Sequence, residues 1–170
     1  MRAKQVTVPS FDELYDLAPE LIKDYIDRCK DTQQGTNWHP EGNTYVHIRL
    51  VYDRARATNN INLALASFFH DLGKVDTSAP NKHGGISALG HELVSARLAK
   101  RYSDWIEEMG ADAEAVYLIV LDHMKIKQYP KMRAIKQKRM QEHPYWNELN
   151  QFTKFDNMKT LTDEEMNRYK

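Results

Sequence analysis

Apolar residues recur at three- and four-residue spacing along this chain and strict apolar–polar alternation is absent, so it reads as helical nearly throughout, with no convincing strand. Ser10 with Glu13 three residues on is a capping-box pattern. After Pro19 the stripe Leu21, Ile22, Tyr25, Ile26, Cys29 marks one buried face, so two N-terminal helices are expected over about 10–30. Residues 31–43 turn to Thr, Gln, Gly, Asn and Pro, which predicts a loop carrying Trp38 and His39. A helix follows over about 44–57. The next, 60–72, is apolar on almost every side, the pattern of a buried central helix, and Gly73 should end it. Beyond a loop at 75–85, helices are expected over about 87–109, 112–126 and 146–158. The polar tail 159–170 reads as a short surface helix or a frayed end.

The length, 170 residues, is that of one domain, which buries roughly 70% of its unfolded surface and needs no staple. A single domain over 1–170, with its core at about 38–158, is expected. The lone cysteine, Cys29, excludes an internal disulfide and Cys-x-x-Cys zinc sites and fits a reducing compartment, so the cytoplasm is the default. No apolar stretch approaches the ~20 residues that span a bilayer, and the start MRAKQVTVPSFDEL lacks a leader's apolar run, so no membrane partner is expected. Formal charge is zero, 24 Lys and Arg against 24 Asp and Glu, which argues against a general nucleic-acid coat protein. The charge is nevertheless segregated: residues 125–139 carry seven cations and no acid. Such a run is most often a solvated face or mobile loop. Its sharper reading is an electropositive rim for phosphate-bearing substrates, with Tyr129, Tyr145 and Trp146 available to stack a base.

Candidate chemistry lies in polar groups that share faces with apolar ones. His47 lies with Leu50 and Val51, His70 with Leu63 and Ala66, and Asp71 with Ala64, Ser67 and Phe68. His91 lies with Val94 and Leu98, His123 completes the stripe Val116, Ile119, Val120, and Asp156 follows Leu149 and Phe152. Six polar groups therefore project inward from five predicted helices. A buried, unpaired carboxylate costs several kcal/mol, and no inward Lys or Arg is evident to neutralise both Asp71 and Asp156. A divalent ion gripped by imidazole and carboxylate resolves this, and mixed N and O ligands suit Mn, Ni, Co, Zn or Fe. Rival motifs fail: Gly85 to Gly90 has phosphate-loop spacing but continues His91-Glu92, and Ser95 stands where a zinc-protease helix needs its second His.

On these residues the chain resembles the HD-domain metal-dependent phosphohydrolases, whose pattern is a His, a His-Asp pair and a distant Asp, here His47, His70-Asp71 and Asp156. It looks most like the HD domain of bacterial CCA-adding tRNA nucleotidyltransferases. HPEGNTYVH (39–47), FFHDLGK (68–74), HGGISALGHE (83–92) and LDHMK (121–125) carry that likeness over about 38–126. The segment 125–145 departs from the family in being longer and more basic, which makes Asp163 the fallback for the final Asp. The chain has no room for a nucleotide-polymerising head, so only the hydrolytic module is expected.

The resemblance implies an all-α, HD-fold helical bundle holding one or two divalent transition metal ions. His47, His70, Asp71 and Asp156 would hold the first ion, and His91 and His123 the second, with Asp71 bridging. It implies hydrolysis of a small phosphorylated substrate, a nucleotide or an RNA terminal phosphate, by a phosphomonoesterase or 2′,3′-cyclic phosphodiesterase. Asp71 and Lys74 are the catalytic candidates; Lys74, His39, Glu41 and Lys125 are the substrate-binding ones. His83 has weaker support and His143 is expected at the surface. The alternatives are an HD-fold di-iron oxygenase using the same six ligands, and a non-catalytic nucleotide- or RNA-binding regulator. Oligomeric state is open, a homodimer included.

Overall fold

The two helices at the heart of the fold begin where a side chain accepts one of the first free backbone N–H groups. In the computed structural model, which describes residues 7–170, Asn43 Oδ1 accepts the Val46 N–H at 2.9 Å to start α3 (Thr44–Ala57). Asn60 does the same for Leu63, at 3.2 Å, to start α4 (Ile61–Phe69), and Asn59, at φ 58°, makes the tight turn between them. Residues 1–6, where the expected absence of a leader's apolar run begins, lie outside the described residues.

The chain is all-α as its periodicity predicts. The short α1 (Phe11–Leu17) carries the Ser10/Glu13 capping box, and α2 (Glu20–Arg28) buries Ile22 and Ile26, with Cys29 buried just beyond. The central helix is α4: every residue from Leu63 to Phe69 is buried. It packs between α3 and α8 (Ala113–Asp122), with α6 (His91–Arg101) and α10 (Trp146–Asp156) also against it. Each fully buried Leu or Phe there contributes about 1.5–3 kcal/mol, so α4 is the element the bundle is built around.

The helix expected over 87–109 is not continuous. Ile86–Ala88 is a strand paired antiparallel with Ser78–Pro80, so two three-residue strands replace an expected loop and helix start. Gly90, at φ 78°, then turns the chain into α6, a left-handed conformation that favours glycine. Tyr102 separates α6 from α7 (Ser103–Glu108). Strands this short show no alternation to read. The basic run also differs from a mobile loop: it forms a 3-10 turn, Ile126–Lys131, and α9 (Ala134–Gln141).

The tail forms α11 (Asp163–Arg168), opened by a second capping box, Thr162 with Glu165. Arg54 of α3 fixes it with a two-pronged ion pair to Glu165, Nε–Oε2 2.7 Å and Nη2–Oε1 3.1 Å. The same guanidinium donates to the carbonyls of Phe155 and Asn157, at 2.8 and 3.1 Å, and so holds the end of α10 where Asp156 lies. The hydrogen bond from Arg54 outweighs burial and holds the Glu165 carboxyl below its ordinary 4.5. Its contribution is therefore complete above that value and is lost as pH falls through the lower folded one. Glu165→Gln should lower unfolding free energy by about 1–3 kcal/mol at neutral pH, with the deficit shrinking toward zero below pH about 4. Urea titrations at both pH values check this; an equal deficit at each would contradict it.

Candidate metal centre

Four helix ends and the first turn of a fifth helix converge on one point. His47, in the first turn of α3, is fully buried because its neighbours Ile48, Leu50 and Val51 face the core with it. His70 caps the carboxyl end of α4 and Asp71 follows; His123 caps the end of α8. His91 is the first residue of α6, and Asp156 is the last of α10.

Three of these imidazoles are held by the same device. The His70 Nδ1–H donates to the Ser67 carbonyl at 2.6 Å, that of His123 to Val120 at 2.6 Å, and that of His91 to Ala88 at 2.9 Å. Each acceptor is the carbonyl three residues back. In His47 the Nδ1–H donates instead to Glu41 Oε1, at 3.0 Å. A carbonyl or carboxylate can only accept, so all four rings carry a proton on Nδ1 and turn Nε2 inward.

These Nε2 atoms meet two carboxylates. His47 Nε2 lies 2.8 Å from Asp156 Oδ1 and 3.1 Å from Asp71 Oδ2, and His70 Nε2 lies 3.3 and 3.2 Å from the same oxygens. The other Asp71 oxygen, Oδ1, faces His91 Nε2 at 3.0 Å and His123 Nε2 at 3.6 Å. Asp71 therefore offers one oxygen to each of two groups. His47, His70, Asp71 and Asp156 form one, and Asp71, His91 and His123 the other; within each group the ligand atoms lie within 4.8 Å of one another. Neutral Nε2 lone pairs turned on each other and on carboxylate oxygens repel, so the cluster needs protons or a metal ion among them. Spacings near 3 Å are those of donors gathered on an ion with bonds of about 2.0–2.2 Å. The cluster can hold a metal ion, and its donors fit one.

The electrostatics agree. Burial pushes the Asp71 carboxyl up, but His70 and Lys74 outweigh it and hold the group well below the usual carboxylate range. Burial likewise opposes Lys127, His47 and His70 at Asp156, which is also held low. His47 is driven down by burial and up by hydrogen bonds to Asp156, Asp71 and Glu41, with the net result a pKa pushed up to about 10. Without a metal a proton takes the cation's place, and metal binding displaces it.

Both carboxylates have lysine partners, contrary to the expectation of no inward cation. Lys74 Nζ lies 3.1 Å from Asp71 Oδ2, and Lys127 Nζ 2.6 Å from Asp156 Oδ2. Unpaired carboxylate charge is therefore no ground for a metal; the four inward lone pairs are. The turn between α4 and the short α5 (Lys74–Thr77) swings Lys74 back over Asp71, and the 3-10 turn after His123 brings Lys127 to Asp156. In the sequence Lys127 is one cation of a basic run, and its only distinguishing signal is its place four residues after His123. Lys125 is exposed and touches none of the cluster.

His39 and Glu41 do stand beside the centre. His39 Nδ1–H donates to Glu41 Oε1 at 2.8 Å, beside the bond from His47, and burial opposes these bonds without preventing the Glu41 pKa from falling to about 2. Glu41 Oε2 is buried without a hydrogen-bond partner among the described residues. Gln34, read only as loop, accepts from Lys74 Nζ at 2.8 Å and donates to the Gly42 carbonyl at 3.1 Å, bracing this loop against the lysine. Trp38 is exposed, with Lys159 Nζ 4.4 Å from its ring centroid. His83 is exposed in the hairpin turn, and Asp163 is exposed in α11. His143 is half-buried rather than on the surface, 2.8 Å from Asp122 Oδ2. Tyr129 and Trp146 pack on each other, ring centroids 4.9 Å apart, so neither presents a free stacking face toward its partner.

The family model describing the HD domain matches residues 44–157, which include His47, His70, Asp71, His91, His123 and Asp156. This chain belongs to the HD domain family. Among curated relatives of this HD-domain chain, "Multifunctional CCA protein" from Methylobacillus flagellatus is 33% identical over 119 residues, 69% of this chain and 27% of that protein. Those of the same name from Azoarcus sp. and Aromatoleum aromaticum are each 30% identical, over 69% and 65% of this chain and 27% and 26% of theirs. The chain spans about a quarter of the length of these relatives. No solved structure matches it.

Gly73 is what lets the HD centre close. A Cβ there would lie 2.2 Å from the His91 carbonyl oxygen and 2.9 Å from Val94 Cβ, and the Gly73 N–H donates to Ser95 Oγ at 2.8 Å. Gly73→Ala should push the start of α6 away, cost about 1–3 kcal/mol of stability and weaken metal retention by His91 and His123. Thermal unfolding and metal content together check this, and a variant equal to wild type in both would refute it.

Proposed function

We propose that this HD domain is a metal-dependent phosphohydrolase, acting as a phosphomonoesterase or 2′,3′-cyclic phosphodiesterase on a nucleotide or an RNA terminal phosphate. The observation that carries the reading is the Asp71 carboxylate, with one oxygen toward His47 and His70 and the other toward His91 and His123. That arrangement suits one ion or two, drawn from Mn, Ni, Co, Zn or Fe, with Asp71 between them. A divalent ion so held supplies Lewis acidity and lowers the pKa of water from 15.7 to about 7, making hydroxide available at neutral pH.

The chain's own residues do the rest. Lys74, braced by Gln34, and Lys127, whose side chain is 36% exposed, set two ammonium groups at the carboxylate cluster, where they offset charge gathering on phosphoryl oxygens. His39 is partly exposed, and its Nδ1–H is committed to Glu41. Its Nε2 is then an acceptor, suited to a substrate hydroxyl or a water proton rather than to protonating a leaving oxygen. Glu41 fixes both His39 and His47, a positioning role. Lys125 remains a candidate for substrate phosphate only at the outer rim. The cytoplasm is the compartment proposed, on the ground that a lone cysteine, the free and buried Cys29, fits a reducing compartment.

Purified protein supplied with Mn, Co or Ni should release phosphate from nucleotides or open 2′,3′-cyclic ends. Asp71→Asn should abolish turnover and most bound metal while leaving far-ultraviolet helicity intact. Near-stoichiometric iron with oxygen consumption and no phosphate release would point to the di-iron oxygenase instead. Tight nucleotide binding without turnover under any metal would point to a regulator.

Lys127 gives a second test, because its two roles have opposite signs. Lys127→Met removes a cation that competes at Asp156, so metal should bind more tightly. It also removes a charge from the phosphoryl group, so kcat should fall by about 10²-fold. Metal titration and steady-state kinetics on the same preparation check both; weaker metal binding together with unchanged kcat would reverse the assignment.

A further inference from the structure

The cations of residues 125–139 are the largest charge feature that the metal centre does not absorb. Lys127 is engaged with Asp156, but Lys125, Lys131, Arg133, Lys136, Lys138 and Arg139 are all exposed and form no ion pair among the described residues. They are not on a loose loop. The α9 helix is pinned by buried Met140, by Gln137 Nε2 donating to the Tyr129 carbonyl at 2.9 Å, and by Gln141 Nε2 donating to the Tyr129 hydroxyl at 2.6 Å. Lys131, Arg133 and Lys136, with Gln128 and Met132, line an open surface cavity of about 490 Å³. Like charges held around one cavity repel, and an anion relieves that repulsion.

We propose that this face binds the phosphate backbone of a polynucleotide strand whose end enters the metal centre; the second half of the proposal rests on the phosphohydrolase reading. Continuity carries it. Lys131, at the cavity, and Lys127, on Asp156, belong to the same 3-10 turn, so phosphates tracked along the cavity arrive at the carboxylate cluster. A small phosphate ester fits less well, because an open cavity walled by cations leaves most of such a ligand in water, whereas small-ligand sites enclose theirs. An anionic lipid surface also fits less well. Membrane-binding faces set apolar side chains beside their cations, and Ile135 is the one large hydrophobic exposed in this segment.

The test is fluorescence anisotropy of the full chain with a short labelled single-stranded RNA, over a series of salt concentrations. Three backbone contacts predict that the logarithm of the association constant falls with that of salt with a slope of about −2, at roughly 0.7 per contact. The combined variant Lys131→Gln, Arg133→Gln, Lys136→Gln should flatten that slope toward zero and weaken binding at low salt by about tenfold or more. Lys23→Gln with Arg97→Gln, elsewhere on the surface, should leave both within about twofold. All three substituted side chains are exposed, so folding should be unaffected. Phosphate release from p-nitrophenyl phosphate with added Mn is measured in parallel and should not change in the triple variant. Binding lost with small-ester turnover intact supports the proposal; RNA binding through these cations in a protein that proves inactive supports backbone binding by this face and overturns the half that rests on the hydrolase reading. RNA binding unchanged in the triple variant overturns it. So does equal loss of small-ester turnover, or tighter cation-dependent binding to phosphatidylserine vesicles than to RNA.

Discussion

Four imidazoles pinned at Nδ1 are the constraint on which the rest of the structure depends. Because Ser67, Val120, Ala88 and Glu41 can only accept, the rings of His70, His123, His91 and His47 have no freedom of tautomer, and their Nε2 atoms must share one small volume with Asp71 and Asp156. Such a cluster is unstable without positive charge inside it. The fold brings the helices together through the apolar surface of α4, and a helix end carrying His-Asp is the consequence of placing the cluster at the edge of that core rather than in it. The carboxyl ends of α4, α8 and α10 all point there, and their dipoles add negative potential that favours a cation.

The lysines belong to the same balance. Lys74 and Lys127 each neutralise a carboxylate, so the cluster is not an uncompensated pair of negative charges waiting for an ion. What its inward nitrogens need is a cation among them, a proton or a metal ion. That distinction matters for chemistry: Lys127 holds the outer oxygen of Asp156, Oδ2, and leaves Oδ1 for ligation, whereas Lys74 shares Asp71 Oδ2 with His47 and His70, and both ammonium groups lie where a phosphoryl group would meet the cluster. The Lys74–Gln34–Glu41–His47 chain then links one such cation to the ring orientation of a candidate ligand, through hydrogen bonds of 2.8, 3.4 and 3.0 Å.

Much of this was legible in the residues. Long helices with strong three- and four-residue periodicity, α3, α4, α8 and α10, were readable, and with them the inward faces of His47, His123 and Asp156, because periodicity reports which side of a helix is buried. The adjacent pair His70-Asp71 marks the centre by its place on an otherwise apolar helix, although the missing cation on which its cost was reckoned is present as Lys74. Three kinds of feature were not legible. Strands of three residues have no alternation, so Ser78–Pro80 and Ile86–Ala88 were invisible. The break at Tyr102 has no proline or glycine to announce it. Lys127 and Gln34 act through long side chains whose backbones sit in turns, and a long flexible side chain can reach inward from a position that looks solvated.

The basic segment shows how a departure from a family pattern can be structural before it is functional. Residues 125–139 are not an appended loop: the turn that begins them carries Lys127 to Asp156, and Tyr129, packed on Trp146, ties that turn to α10, whose last residue is Asp156 itself. Removing the segment would therefore free one oxygen of the centre and loosen the helix that supplies it. Its outer cations repel one another, yet the same stretch is anchored at Gln137, Gln141 and Met140. A charge cluster that is held in place, unpaired and continuous with a carboxylate of the metal centre is arranged for a polyanion reaching that centre, and a solvated face would need none of that anchoring.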